Sequence, residues 1–184
     1  MIKLLNPMSY KGGTRLFLQC GSSALADYNE KQSHIEAISH LLSAKQGEVV
    51  QAVDRVKEEL GEARRQVAAL RRALVEERLA SMRTDGKVVL FFEEMLDAGS
   101  LRLLVNGALE KTEGAVAAFL GSGADGYTYL IASATHPLRA AANDLRARFG
   151  AKGGGSDRMI QGSVVADRDA LTAWAQEYFS KEEA

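Results

Sequence analysis

Cysteine, histidine and proline are all scarce in this chain of 184 residues: one cysteine, three histidines and two prolines. A single cysteine, Cys20, excludes an internal disulfide. With no signal-peptide pattern at the N-terminus, it points to a reducing, cytoplasmic setting. His34 and His40 stand six apart and do not share one helix face. Cys20 has no neighbouring ligand at a zinc-like spacing, and no base is identifiable to activate it as a nucleophile. The sequence therefore offers neither a metal site nor a catalytic one, and Cys20 reads as a buried strand residue. No apolar run approaches the ~20 residues of a membrane span. Lys and Arg number 23 against 24 Asp and Glu, a formal net charge of −1. That balance lacks the global basic signature of many nucleic-acid binders, so charge has to be sought locally.

The prolines are Pro7 and Pro137, and the long interval between them suits long helices. Residues 1–21 read as two short strands around a turn, with Asn6-Pro7 and Lys11-Gly12-Gly13-Thr14 between β-prone runs. A lone hairpin is not a stable domain, so it needs something to pack on. Residues 22–84 read as helical, with Ser22 and Ser23 as candidate N-caps. Leu25, Tyr28, Ile35, Ile38 and Leu42 mark a first helix, and Gly47 a break. Val49, Val53, Val56, Leu60, Ala63, Val67, Leu70 and Leu74 then alternate spacings of four and three, a heptad seam. The pattern steps by one to Val75, Leu79 and Met82, a local phase shift. A helix over 48–83 would be about 54 Å long. Its seam needs a partner, either the first helix folded back as a hairpin or a second copy of the chain.

Residues 85–184 read as a compact α/β domain with a mixed sheet covered by helices. Asp85-Gly86 is a turn, and Lys87 to Met95 is a strand buried on both faces. An amphipathic helix follows over 97–111, then apolar strands over 115–120 and 127–134. A helix over 138–149 has Pro137 at its first turn, and residues 167–179 form the last helix. Gly121-Ser-Gly123-Ala-Asp-Gly126 matches the dinucleotide fingerprint in letters only. A strand follows it where the fingerprint needs a helix, so Asp125-Gly126 reads as a hairpin turn. No Gly-Lys-Ser/Thr ending marks a P-loop.

Between the last two helices runs Lys152-Gly153-Gly154-Gly155-Ser156-Asp157-Arg158-Met159-Ile160-Gln161-Gly162. Three successive glycines are costly in backbone entropy and usually mark a sharp bend or a close approach to the backbone. A glycine triplet alone suits a surface loop. Beside Lys152 and Arg158 it also suits a cradle of N–H groups for a phosphate. Cations collect nearby, with Arg139, Arg146, Arg148, Lys152 and Arg158 against Asp144 and Asp157 over 136–158. Lys3, Lys11 and Arg15 mark the N-terminal hairpin, and the long helix is rich in arginine. Such zones fit either a phosphate backbone or an ordinary solvated face.

Lys11-Gly-Gly-Thr-Arg15-Leu-Phe-Leu-Gln-Cys20-Gly21-Ser-Ser-Ala24-Leu25-Ala-Asp27-Tyr28 resembles the end of the editing domain in alanyl-tRNA editing proteins and the related region of alanyl-tRNA synthetase. Gly153-Gly154-Gly155-Ser156 with Gln161-Gly162 resembles the glycine signature of the domain that closes those proteins and accompanies the DHH phosphoesterases. The order also matches: editing-domain tail, long helices, small α/β domain. The resemblance implies a role in clearing mischarged tRNA of the alanine type. In the family, a zinc site of histidines and a cysteine hydrolyses the ester. Those ligands precede the hairpin, and Cys20 is not at the zinc cysteine's place, so zinc is expected in a part of the parent outside this sequence. The DHH carboxylate motif is also lacking. With Met1 directly inside the editing-type tail, the chain resembles a C-terminal fragment or a natural derivative.

What the resemblance implies for this chain is a tRNA-binding and assembly module without catalytic residues. Its contacts would be Lys152, Gly153, Gly154, Gly155, Ser156, Arg158, Gln161 and Gly162. Residues 49–82 would serve as a homodimer arm. The alternative is a coiled-coil scaffold whose glycine loop is only structural.

Overall fold

A computed structural model describes residues 1–84, 86–123 and 125–180. It divides into two compact units, Met1–Arg65 and Gln66–Ala184.

The first unit opens with four short strands where the sequence suggests two. They are β1 (Ile2–Leu4), β2 (Met8–Tyr10), β3 (Gly13–Arg15) and β4 (Leu18–Cys20). β2 pairs with β3, and β1 with β4, both antiparallel, as two nested ribbons. Lys11 and Gly12 turn between β2 and β3 with positive φ at both, the geometry that matches strand twist in a two-residue hairpin. Cys20 is a strand residue as expected, but exposed rather than buried. It shares the open face of the β1–β4 ribbon with the exposed Ile2, Leu4 and Leu18, while Lys3 on the other face reaches Asp27 of the helix that follows.

Helix α1 (Gly21–Leu41) begins one residue before the expected serine caps. Cys20 takes the cap position without a side-chain cap bond, and Ser23 Oγ donates instead to the Cys20 carbonyl oxygen. Asp27 accepts from both Lys3 and Lys31, which together hold its carboxyl below the usual carboxylate range. The helix ends before Gly47, where one 3-10 turn at Gln46–Glu48 leads into α2 (Val49–Ser81).

Five strands and three further helices follow: β5 (Val88–Glu93), α3 (Ala98–Leu109), β6 (Ala115–Ser122), β7 (Gly126–Ser133), α4 (Leu138–Phe149), β8 (Lys152–Gly155), β9 (Met159–Val164) and α5 (Arg168–Ser180). The fold class is the expected mixed α/β. The sheet order is β5-β6-β7-β9-β8, with β5 and β6 parallel and every other pair antiparallel. Residues 126–133 form a strand, so the glycines before it close a hairpin and open no helix. Ala124 of that turn and Asp85 of the Asp85-Gly86 turn lie outside the described residues.

Alternation along the strands gives the sheet two apolar faces. Ala117, Phe119, Tyr129, Ile131 and Ile160 pack against Leu138, Ala141 and Leu145 of α4 and Leu171, Trp174 and Phe179 of α5. Val89, Phe91, Val116, Ala118 and Leu130 pack on the other face against Leu101, Leu104, Val105 and Ala108 of α3. Val75 of α2 is buried in this second cluster, with Leu74, Leu79 and Met82 packed on it. The phase shift read in the sequence is thus the place where α2 starts to serve the α/β core. Arg78 Nε holds the buried Glu93 carboxylate at 2.6 Å, and Arg71 bonds Met95 O at 3.0 Å and Asp97 at 2.6 Å.

Candidate nucleic-acid interface

The glycine run is not a loop. Lys152–Gly155 is β8, the outer strand of the five-stranded sheet, and only residues 156–158 turn back into β9. The register explains why glycines stand here. One row crosses the whole sheet, Phe92–Phe119–Tyr129–Gly162–Gly153, each residue paired with the next. Phe92 and Phe119 stack with ring centroids 4.9 Å apart. The Tyr129 side chain then extends toward the sheet edge, over the two glycines. A β-carbon on Gly162 would come within 2.7 Å of the Tyr129 hydroxyl, and one on Gly153 within 2.9 Å. Both would also collide with backbone across the β8–β9 ladder, and Gly153 has φ +143° besides. Gly154 differs: a β-carbon there meets nothing within 4 Å.

Hydrogen bonding along β8 places its outward groups. Ser156 N donates to Met159 O at 2.8 Å, closing the hairpin. An antiparallel ladder alternates paired and unpaired residues, which puts Gly154 and Lys152 in the paired set and turns Gly153 and Gly155 toward the open edge. Arg146 Nη2 of α4 accordingly donates to Gly153 O from outside the sheet, at 3.1 Å. The edge therefore presents backbone with no side chain of its own, and the Gly153 carbonyl is taken by Arg146.

The eight residues singled out in the sequence occupy four settings. Gly153, Gly154 and Gly155 line the edge. Ser156 closes the turn, its hydroxyl accepting from the amides of Arg158 and Met159 at 3.3 Å each. Lys152 and Gln161 lie on the α3 side of the sheet, by the alternation of their strands, whereas Gly162 underlies Tyr129 on the other side. Arg158 sits exposed in the β8–β9 turn.

On the α3 side, a groove of about 630 Å³ lies between that helix and the outer strands. Ala98, Leu101 and Arg102 form its wall, and Thr128, Leu130, Gln161, Ser163 and Lys152 its floor. Arg102 Nη2 reaches across to Gln161 Oε1 at 3.0 Å. Arg102 is the functional candidate that the sequence reading missed. It is 59 residues from Gln161, and only the β5–α3–β6 crossover brings them together. Asp97 caps α3 beside this wall, accepting from Ser100 N at 2.8 Å. That backbone bond first, then Ser100's side chain, holds the Asp97 carboxyl below its usual range, with Arg71 adding to the effect.

The other cations of the region are largely engaged. Arg139 pairs with Asp157 at 3.2 Å, and Arg148 with Asp144 and Glu177, both at 3.0 Å. Among the described residues, no group of three His, Cys, Asp or Glu could hold a metal ion, and no helix is long and apolar enough to cross a membrane.

No protein-family model matches the chain, and no curated protein matches it. Among solved structures it is similar to exonuclease RecJ bound to manganese, at 17% identity and a TM-score of 0.50. That likeness covers 76% of this chain and 37% of RecJ, and it concerns the fold. The C-Ala domain from Aquifex aeolicus alanyl-tRNA synthetase also matches, at 18% identity and a TM-score of 0.43, over 54% of this chain and 96% of that one.

Proposed function

We propose that the chain is a tRNA-binding and assembly module of a protein related to alanyl-tRNA editing, and that hydrolysis of mischarged tRNA is carried out by residues outside this sequence. Zinc belongs to that editing site. The observation that carries the binding reading is the outer strand β8. Its glycine backbone turns outward at Gly153 and Gly155, with Lys152 beside it and Arg158 at the adjoining turn. Backbone N–H groups flanked by cations receive phosphate oxygens, and the lack of side chains lets a polynucleotide backbone approach closely. The motif resemblance supplies the tRNA of alanine type as ligand, in the cytoplasm. No cofactor enters this step.

Assembly is the role of α2. Val53, Val56, Leu60, Val67 and Leu70 of its heptad seam are all exposed, and α1 does not cover the first three. An exposed seam of this period fits a second copy of the chain. The same observation favours a second reading, a dimerisation scaffold whose glycine strand is structural only. Fluorescence anisotropy with labelled tRNA separates the two. Salt-dependent binding by the folded protein supports the first reading, and its absence leaves the scaffold. Size-exclusion chromatography with light scattering tests the arm: the wild type should be a dimer and Leu60→Glu a monomer.

A further inference from the structure

The sheet has two outer strands, and they differ in how they meet a further strand. β8 carries no apolar side chain, and Arg146 takes its Gly153 carbonyl. β5, at the other edge, reads Val-Val-Leu-Phe-Phe-Glu, with no proline, glycine or lysine to discourage pairing. Its ladder shows which groups point outward. Ala115 N donates to Lys87 O at 2.9 Å, and a parallel ladder engages alternate residues, so Val89, Phe91 and Glu93 bond to β6. The amides and carbonyls of Val88, Leu90 and Phe92 therefore face the open edge. Among the described residues, no backbone hydrogen bond from outside the sheet reaches them.

This edge is the floor of a cleft of about 490 Å³, between Met82 and Arg83 after α2 and Gln176 of α5. Val88, Leu90 and Phe92 also share one side of the sheet, where they stand half-buried at the rim of the core under α4 and α5. Phe92 ends the aromatic row through Phe119 and Tyr129, and Leu90 ends the row through Ala117 and Ile131. Both rows stop at the edge. A strand laid here gains main-chain bonds to the outward groups and side-chain pairs with the row ends.

Charge selects the occupant. Arg78 holds Glu93 at one end of β5, so α2 runs back beside the strand and Arg83 stands toward the Val88 end. Arg168 lies over the Phe92 ring at the other end, 4.7 Å from its centroid. Asp167 is turned to the start of α5, accepting from Arg168 N at 3.2 Å. A second copy pairing by twofold symmetry sets the Val88 end of one β5 beside the Phe92 end of the other. Arg83 of each copy then faces Arg168 of the other, two like-charge contacts. A segment with acidic residues at both ends meets the two arginines favourably instead. We propose that β5 docks an extended segment of a partner protein, with alternating apolar residues between acidic ends, as a further strand of the sheet. The apolar residues lie opposite Val88, Leu90 and Phe92. The site is at the opposite edge from β8 and stands independently of the tRNA-binding reading.

The probe is a synthetic peptide, Asp-Asp-Val-Thr-Val-Thr-Val-Glu-Glu, added to the isotope-labelled full chain. A control peptide has lysine at every acidic position. Amide exchange followed by NMR should be faster at Val88, Leu90 and Phe92 than at Val89, Phe91 and Glu93 in the free chain. Saturating acidic peptide should slow the first three by roughly tenfold or more. The lysine peptide should bind at least about fivefold more weakly. Val88→Pro and Leu90→Pro each remove one outward N–H and no bond to β6, and should weaken the acidic peptide by roughly tenfold. Arg168→Glu, on an exposed side chain, should weaken it by about fivefold and keeps the test open if the proline variants fail to fold. Circular dichroism and thermal melting report folding. Outward amides that are already as slow as the inward ones in the dilute free chain overturn the proposal. So does slowing that follows chain concentration without peptide, which assigns the edge to a second copy. Equal binding of the two peptides, no binding of either, or folded variants that bind as the wild type does also overturn it.

Discussion

Tyr129 and Gly162 are register partners on β7 and β9, and the Tyr129 hydroxyl occupies the space that any side chain at Gly162 would need. The glycine-rich signature is thus in part a packing device. An aromatic side chain buried to 1% exposure reaches toward the sheet edge because two residues in its path have no β-carbon.

That relationship separates the glycines experimentally. Gly162→Ala forces a β-carbon against both Tyr129 and the Lys152 carbonyl oxygen, and should cost about 2–3 kcal/mol or prevent folding. Gly154→Ala has open space and should change stability by less than about 0.5 kcal/mol. Urea unfolding followed by circular dichroism measures both. Gly154→Ala is therefore the glycine variant that adds a side chain to β8 without disturbing its packing.

Tyr129→Ala should cost about 3–5 kcal/mol, because it empties the row between Phe119 and the glycines. Burial pushes the Tyr129 phenol above its usual range, with Arg146 opposing. Its ionisation, followed by ultraviolet difference absorbance, should lag behind that of the exposed Tyr10 and Tyr28.

Glu93 is a buried carboxylate whose Arg78 partner sits at 2.6 Å. Arg78→Ala leaves that charge without its strongest donor and should cost about 2 kcal/mol. Replacing both residues, Arg78→Met with Glu93→Leu, should recover much of the loss. Thermal melts of the single and double variants measure this. Equal losses in the two would show that the ion pair contributes nothing specific.

Asp97 gives a pH dependence. Its folded carboxyl titrates below the ordinary value of 3.8, so its contribution is fully present above that pH and is lost as pH falls through the lower folded value. Asp97→Ala removes the α3 cap and should cost about 1 kcal/mol at neutral pH. The difference between variant and wild type should shrink below about pH 4. Denaturant midpoints across pH 2.5 to pH 7 measure it, and a difference that grows toward acid would contradict the assignment.

Much of this architecture is legible in the sequence because the α/β domain obeys local rules. The apolar run at 88–92, the helix periods at 101–108 and 138–145 and the turn before Tyr127 each sit where burial places them. What escaped depends on pairing. Lys152–Gly155 has no β-propensity, and only its ladder to β9 makes it a strand. Cys20 looks like a core strand residue, but its register places it on the ribbon face that α1 does not cover. Arg102 lies in an ordinary amphipathic helix, and only the crossover makes it Gln161's partner. The shift at Val75 was visible as a pattern, whereas its cause, burial in the α/β core, needed the fold.

The most direct test of the central claim is the salt dependence of tRNA binding by the wild type, Lys152→Ala, Arg158→Ala and Gly154→Ala. Anisotropy between about 50 and 200 mM salt should show wild-type affinity falling steeply. Each cation variant should reduce the slope of log K against log salt by about 1. Gly154→Ala should weaken binding with its melting temperature unchanged. Wild-type protein that is folded and shows no salt-dependent binding, or variants that all bind as the wild type does, would contradict a tRNA interface on β8.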